Sequence, residues 1–231
     1  MKNLNIFSLV TEYENAKSKG VLDVPNVSFV DEDSSVRYLL KNIDPYNGYE
    51  YVDLGLPSGL KWATCNVGAN KPEDYGLYFA WGETVGYTAE QVTSGVRSFD
   101  GDSYKVASIS TDLTIEQDTA HANMGGNWRM PTKAEFQELL DNCNGVWTNN
   151  YNGTGVAGKV FTSKVNENSV FFPAAGGCSD SSVNSVGSYD RCWSASWKSS
   201  ASAWGLRLFS EIQEVDYNHR YYGFSVRGVC E

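Results

Sequence analysis

Few side chains of this chain could act as catalysts. Its 231 residues include two histidines, His121 and His219, so a Ser-His-Asp or Cys-His arrangement would have to use one of them. His121 lies in a predicted helix, where packing or solvent exposure explains a histidine better than general-base chemistry. Zinc-protease, nucleophile-elbow, phosphate-loop and dinucleotide-binding motifs are all missing. The sequence therefore predicts a protein that is not an enzyme.

The cysteines point away from metal and redox chemistry. They are five in number and widely spaced, and none forms the Cys-x-x-Cys pair of zinc sites or redox dithiols. This pattern favours thiols that are mostly buried and reduced. The acidic runs at residues 31–33 and 100–102 lack the calcium-loop pattern and are interpreted as solvated turns. No cofactor is predicted.

The residue types that favour binding are concentrated near the C-terminus. Residues 178–231 contain nine aromatic residues, about 17% of that stretch, against about 12% in the preceding 177. The stretch has five basic and six acidic residues, so most of the net charge of −10 lies upstream. Tyrosine and tryptophan supply rigid contact area, and serine and glycine supply adaptable hydrogen bonds. We expect Trp193, Phe209 and Phe224 in the core. Five other aromatic residues, interleaved with Lys198 and His219, are expected on a binding surface: Trp197, Trp204, Tyr217, Tyr221 and Tyr222.

Short strands and one clear helix are predicted to position these residues. Residues 51–54 and 60–63 flank a Leu-Pro-Ser-Gly turn and predict a hairpin. Thr132 and Glu135 have capping-box spacing, and apolar residues follow at i, i+3, i+4 and i+7, which predicts a helix over 132–142. A second helix is predicted over 115–123. Further strands are predicted at residues 169–173, 191–196, 203–209 and 224–229.

Composition and charge limit the class of protein. The formal charge of −10 and the pI near 4.7 argue against general affinity for nucleic acid or anionic membranes. No run approaches about 18 consecutive apolar residues, so no membrane insertion is expected. The first ten residues lack the apolar region of a secretory signal, which predicts synthesis in the cytoplasm without a signal peptide. Residues 1–47 differ in pattern and are interpreted as an attachment or oligomerisation segment, followed by a single domain over 48–231.

Several motifs in one order resemble a known family. They are residues 51–63 (YVDLGLPSGLKWA), 78–83 (YFAWGE), 126–132 (GNWRMPT), 172–176 (FPAAG), 193–196 (WSAS) and 223–229 (GFSVRGV). This pattern resembles the Fibrobacter-type major paralogous domain of gut-bacterial and phage proteins, which is similar to the formylglycine-generating-enzyme branch of the C-type-lectin-like fold. The resemblance covers about residue 49 to the end.

The resemblance implies an α+β domain with two helices on a small, twisted, mostly antiparallel sheet and much loop. Family members include the variable proteins of diversity-generating retroelements, in which exposed C-terminal residues vary while the fold is kept. It implies a variable region at about 187–222. Asp190, Arg191 and Cys192 depart from the usual family motif there. The further candidates for varied, ligand-binding residues are Trp197, Lys198, Trp204, Arg207, Tyr217, His219, Tyr221 and Tyr222. A structural calcium ion on loop oxygens is compatible with the fold, but the sequence gives it no position and contains no calcium-lectin Glu-Pro-Asn or Gln-Pro-Asp motif.

Three functions compete at this stage. The first is a receptor-binding module of a phage tail or fibre that recognises a cell-surface protein or glycan. The second is a structural virion or adhesin component that forms a homo-oligomer, with the N-terminal segment as the assembly element. The third, a cysteine-dependent oxidase of the formylglycine-generating type, would have to use Cys178, Cys192 or Cys230.

Overall fold

A computed structural model of the chain describes residues 46–231. The predicted attachment segment, residues 1–47, lies outside the described residues except for its last two. In the described range the fold is α+β, with few helices and several small antiparallel sheets, which confirms the predicted class. The helices are α1 (Ala89–Thr93), α2 (Thr119–Met124) and α3 (Lys133–Asn142). The strands are β1 (Tyr51–Asp53), β2 (Lys61–Asn66), β3 (Cys143–Thr148), β4 (Gly158–Ser163), β5 (Ser169–Pro173), β6 (Gly177–Ser179), β7 (Ser182–Asn184), β8 (Asp190–Trp197), β9 (Ser202–Leu208), β10 (Gln213–His219) and β11 (Arg227–Cys230).

The predicted hairpin opens the described domain. β1 pairs antiparallel with β2, with Val52 opposite Trp62, and the turn is closed by the Gly59 N–H donating to the Leu56 carbonyl at 2.9 Å. β11 pairs antiparallel with the other edge of β2. Among the described residues, the last strand therefore completes a three-stranded sheet that the first strand begins.

Helix α3 forms as its sequence predicts. Thr132 Oγ1 accepts from the Glu135 N–H at 3.2 Å, and the Glu135 carboxylate accepts from the Thr132 N–H at 2.7 Å, which completes the capping box. Phe136 and Leu139 face the core and are fully buried. This helix packs against β8, β9 and β10, so it supports the sheet that carries the C-terminal candidates.

The second predicted helix is divided into two parts. Residues Ile115–Gln117 form a 3₁₀ turn, and α2 starts only at Thr119. Between them Asp118 takes an extended backbone conformation, so that its side chain can accept from the His121 N–H and the Met130 N–H. The N-cap of α2 thus interrupts what the sequence pattern indicates as one helix.

Three further sheets complete the described part. They have the strand orders β3-β4-β5, β10-β9-β8 and β6-β7, and every pairing within them is antiparallel. One core cluster includes Trp81, Trp128, Trp193 and Phe224, which confirms the buried positions expected for the last two. Helix α1 and strands β3, β4, β6, β7 and β10 were not predicted from the sequence.

Two segments depart from the predicted strands. β11 begins at Arg227 and not at 224, because Phe224 instead exchanges backbone hydrogen bonds with Phe79 in an isolated bridge. Phe209 is half-buried outside β9, with its ring 4.7 Å from that of Tyr189. Within residues 46–231 no helix combines the length and the apolar character that crossing a membrane requires.

Candidate ligand-binding surface

The sheet of β8, β9 and β10 positions most of the candidate residues. Its register places Tyr217 opposite Trp204 and Glu214 opposite Arg207. Directly paired residues of antiparallel strands point to the same side, and successive residues alternate between sides. Trp204 and Tyr217 therefore share one face, which we call the aromatic face, and Arg207 lies on the opposite one, the ionic face.

The aromatic face combines ring edges with lysine ammonium groups. The rings of Trp204 and Tyr217 meet edge to face, with centroids 5.5 Å apart and an interplanar angle of 82°. Lys198 Nζ lies 4.9 Å from the Trp204 centroid and 5.3 Å from that of Tyr217. Lys133 Nζ, from the first residue of α3, lies 4.8 Å from the Trp204 centroid. At these distances a cation is attracted to the ring face. We call these four residues the aromatic–lysine surface.

This surface is accessible and carries unneutralised positive charge. Tyr217 is 50% exposed, Lys133 and Lys198 are exposed, and Trp204 is half-buried. Within residues 46–231 neither lysine belongs to an ion pair. A locally cationic patch on a chain with a net charge of −10 is therefore available to a partner.

On the ionic face, Arg207 forms ion pairs with two carboxylates of the neighbouring strand β10. Its Nη1 lies 3.0 Å from Glu214 Oε1 and 3.4 Å from Asp216 Oδ2. Asp216 Oδ2 also accepts from Arg191 Nη2 at 2.9 Å. Burial alone would raise the pKa of Asp216, but the Tyr217 N–H and the Arg191 guanidinium outweigh burial and lower it. Arg207 thus belongs to a cross-strand ion network and is separated from the aromatic–lysine surface by the sheet itself.

Asp190 and Arg191 are buried, which corrects their expected place on a displayed surface. They are 0% and 3% exposed. β8 is an inner strand, paired with β9 along one edge and bridged to Gly176 and Ser225 along the other, and the Arg191 guanidinium lies 2.9 Å from Asp216 Oδ2 and 5.5 Å from the Phe224 ring centroid. Arg191 uses its Nε to donate to the Tyr189 hydroxyl at 2.6 Å. In this fold neither side chain can reach a ligand.

The Asp190 carboxyl is a strained exception within the core. Burial raises the pKa of Asp190 to about 7, and the nearby Arg227 guanidinium is the largest influence in the opposite direction. Neither carboxyl oxygen has a partner in regular hydrogen-bond geometry among the described residues, although the amides of Arg191 and Ala175 lie close enough to lower the pKa. Burial outweighs these influences, and a carboxyl removed from water favours its neutral form.

His219, Tyr221 and Tyr222 form a second aromatic group where β10 ends. The His219 ring stacks on Tyr221, with centroids 5.2 Å apart and an interplanar angle of 9°, and Tyr222 meets Tyr221 edge on at 4.7 Å. Between them in sequence, Arg220 is buried and donates to the carbonyls of Ala107 and Ile109. The buried Arg220 side chain fixes the turn, and the flanking residues His219, Tyr221 and Tyr222 lie at the surface.

Trp197 has a mainly structural environment. Its ring packs against the core cluster of Trp81 and Trp193, and its backbone N–H donates to Asp112 Oδ1 at 2.7 Å. The structure thus brings together Lys198, Trp204 and Tyr217, and it groups the three residues at the end of β10 separately.

Lys133 was missed by sequence reasoning. The capping box locates it at a helix start, but no sequence signal places that start beside residue 204.

The described cysteines are free thiols, and Cys143, Cys178, Cys192 and Cys230 are buried, as predicted. Burial raises the pKa of Cys178 to about 12 and that of Cys192 well above its ordinary value. Both thiols therefore stay protonated at neutral pH, which disfavours them as nucleophiles or thiolate ligands. In the range 46–231, no three His, Cys, Asp or Glu side chains are grouped so that they could hold a metal ion.

Comparisons of this chain with family models, with curated proteins and with solved structures give no match.

Proposed function

We propose that this chain is a non-enzymatic ligand-binding protein with a C-type-lectin-like fold, whose C-terminal sheet recognises a host or cell-surface receptor. The observation that carries the proposal is the aromatic–lysine surface, where Trp204 and Tyr217 stand beside two lysines without carboxylate partners. Exposed tryptophan and tyrosine residues are the types that dominate binding energy at protein interfaces. The ligand is a cell-surface protein or glycan.

The surroundings of this surface fit a diversified region at about 187–222. β9 and β10 pair over seven consecutive residues, so backbone hydrogen bonds hold the hairpin whatever the exposed side chains are. The Trp204 and Tyr217 rings meet each other and lie beside lysine ammonium groups. Exchange of these residues would change the ligand without dismantling the core. We propose that the protein is phage-borne and displayed on a tail or fibre through residues 1–47.

The buried thiols support binding over the oxidase alternative. That reaction would need a reactive cysteine, whereas the pKa values of Cys178 and Cys192 are raised by burial. Self-assembly remains a competing use of exposed aromatic residues, which also occur at oligomer interfaces. Light scattering of the full chain and of a chain carrying Trp204→Ala and Tyr217→Ala separates the two uses, because only an assembly surface would change the oligomer.

The binding proposal is tested by screening the full chain against arrays of cell-surface glycans and purified surface proteins. For any partner found, the Trp204→Ala and Tyr217→Ala double variant should bind at least about 30-fold more weakly, since a hot-spot residue contributes about 2 kcal/mol or more. Trp147→Ala is the matched control, because Trp147 is also half-buried but lies on β3 and donates to Asn149. Equal binding by the double variant would remove the assigned surface.

A further inference from the structure

A small cleft opens on the ionic-face side of the same domain. Its volume is about 160 Å³, and it lies between the β6–β7 hairpin and residues 218–224. Aromatic rings of Tyr189, Tyr222 and Phe224 and polar groups of Ser179, Asn184 and Asn218 contribute to its lining. None of the lining side chains is an acid or a base that is charged at neutral pH. In an otherwise acidic chain, this cleft is electrically neutral.

The two amide side chains of the cleft retain unused hydrogen-bonding capacity. Asn184 Nδ2 donates to Ser179 Oγ at 3.2 Å, and its Oδ1 has no partner among the described residues. Asn218 Oδ1 accepts from the His219 N–H at 2.8 Å, and its Nδ2 likewise has none within residues 46–231. Both residues sit on paired strands, Asn184 opposite Gly177 and Asn218 opposite Ala203. The cleft thus presents one acceptor and one donor from fixed positions.

An aromatic ring contributes to the cleft because a glycine allows it close approach to the backbone. A Cβ atom built on Gly177 would lie 2.6 Å from Phe224 Cε1, closer than any side chain permits. Tyr222 packs at an angle to Phe224, with centroids 6.1 Å apart. Apolar ring surface and amide groups therefore line the same small space.

We propose that this cleft binds one ring of a neutral sugar. The C–H face of a pyranose can lie against the aromatic rings while its hydroxyl groups pair with Asn184 and Asn218. A purely apolar ligand would leave those amides desolvated without partners, and a charged ligand would find no countercharge in the lining. The volume is similar to that of a cavity of about 150 Å³ that binds benzene, which suits a single ring.

This site is independent of the proposed function. Asn218 follows Tyr217 on β10 and therefore points to the opposite side of the sheet from the aromatic–lysine surface. Loss of either site can be measured without loss of the other.

The test uses the full ¹⁵N-labelled chain and the methyl glycosides of glucose, galactose, mannose and N-acetylglucosamine, with methyl glucuronide as the charged comparison. We expect at least one neutral glycoside to shift the amide signals of Asn184 and Asn218 with a millimolar Kd. Asn184→Ala and Asn218→Leu should each weaken binding about 2- to 10-fold, the range for one neutral hydrogen bond. Asn184 is exposed, so its variant tests the idea even if Asn218→Leu disturbs β10.

Trp147→Ala is the control and should leave sugar binding unchanged, because Trp147 is half-buried on β3 and donates to Asn149, away from the cleft. Four results would overturn the proposal: no shift with any neutral glycoside at about 50 mM, well above the millimolar affinity expected; binding of the glucuronide alone; shifts confined to the Trp204 side of the sheet; or unchanged affinity in both asparagine variants.

Discussion

Trp81 and Trp128, upstream of the β8–β9–β10 sheet, and Trp204 within it have opposite environments. Trp81 and Trp128 are fully buried, and their Nε1 atoms donate to the carbonyls of Ser194 and Tyr46, which are 113 and 82 residues away in sequence. Trp204 is half-buried and contacts exposed lysines and Tyr217. The buried set connects distant segments of the chain, whereas the hairpin residue interacts mainly at the surface.

The arginine residues repeat this contrast. Arg227 is fully buried, and its guanidinium makes five hydrogen bonds: Nε and Nη2 donate to Asn66 Oδ1, Nη1 to the carbonyls of Ala63 and Thr64, and Nη2 also to Phe171. Arg207 is one-third exposed and pairs across the strand with carboxylates. The same residue types therefore serve two regions. In the framework, which includes Trp81, Trp128 and Arg227, buried side chains connect distant segments of the chain. In the β9–β10 hairpin, backbone hydrogen bonds between the two strands stabilise the structure.

Arg227→Met should have the largest effect on stability. It removes five hydrogen bonds to four acceptors, of which those of Ala63, Asn66 and Phe171 are buried, and an unsatisfied buried acceptor costs about 1–3 kcal/mol. We therefore expect the free energy of unfolding to fall by about 5 kcal/mol or folding to fail. Urea unfolding of the full chain measures this. Arg207→Met is the control and should stay within about 1 kcal/mol of wild type, as surface ion pairs do. A similar small loss for both variants would remove the distinction between framework and hairpin.

The tryptophan pair gives the next largest difference. Trp128→Ala should lower the free energy of unfolding by about 4 kcal/mol, because it removes a large buried ring and leaves a cavity. Trp204→Ala should cost less than about 1 kcal/mol, since its partners are exposed lysines and a half-exposed tyrosine. Thermal unfolding of the two variants side by side is sufficient. If Trp204→Ala also lowered the free energy of unfolding by several kcal/mol, the Trp204 side chain would have to be counted among those that stabilise the fold.

Asp190 sharpens the boundary between the two regions, because it lies in the predicted variable stretch but is buried like the framework. Burial raises its folded-state pKa to about 7, whereas the unfolded carboxyl titrates near its ordinary value of 3.8. The unfolded state therefore loses its proton first as pH rises. The loss of folding stability that results from ionising buried Asp190 is absent below about pH 4 and grows between about pH 4 and 7. Above pH 7 the loss is complete and amounts to a few kcal/mol.

Asp190→Asn removes this titration. The stability of wild type relative to the variant should therefore decline as the pH is raised from about 4 to 8, measured by urea unfolding at several pH values. Parallel pH profiles for the two proteins would show that Asp190 does not titrate in this range.

Local signals allowed much of the framework to be predicted. The capping box of Thr132 and Glu135 and the apolar spacing that follows specify α3 without help from distant residues. β5 was predicted with the bounds that it has in the structure, Ser169–Pro173, because it is a short apolar run, and four of its five residues are buried. The secondary structure of α3 and β5 depends on residues that are close in sequence, so it can be predicted from the sequence alone.

The candidate site was harder to predict because its geometry depends on residues distant in sequence. β10 alternates polar and charged residues with Val215 and Tyr217, and its strand character follows from pairing with β9. Lys133 reaches Trp204 only because α3 packs on the sheet. Asp190 and Arg191 were expected at the surface because they depart from the family motif inside the variable region that the resemblance implies, whereas the structure buries both side chains.

The smallest expected effect on the free energy of unfolding concerns Gly205 in β9. It tests whether the backbone of the β9–β10 hairpin is rigid although its exposed side chains can be exchanged. A Cβ atom on Gly205 would lie 2.4 Å from the Cys192 carbonyl oxygen, a backbone atom of the paired strand that cannot move aside alone. Gly205→Ala should therefore lower the free energy of unfolding by about 2 kcal/mol through strain between β8 and β9. Gly101→Ala is the matched control, because nothing lies within 4 Å of its Cβ position and its φ is not in the left-handed region. Equal stability of the two variants in urea would mean that the sheet yields at Gly205, and backbone rigidity could then not explain how the hairpin tolerates changes at Trp204 and Tyr217.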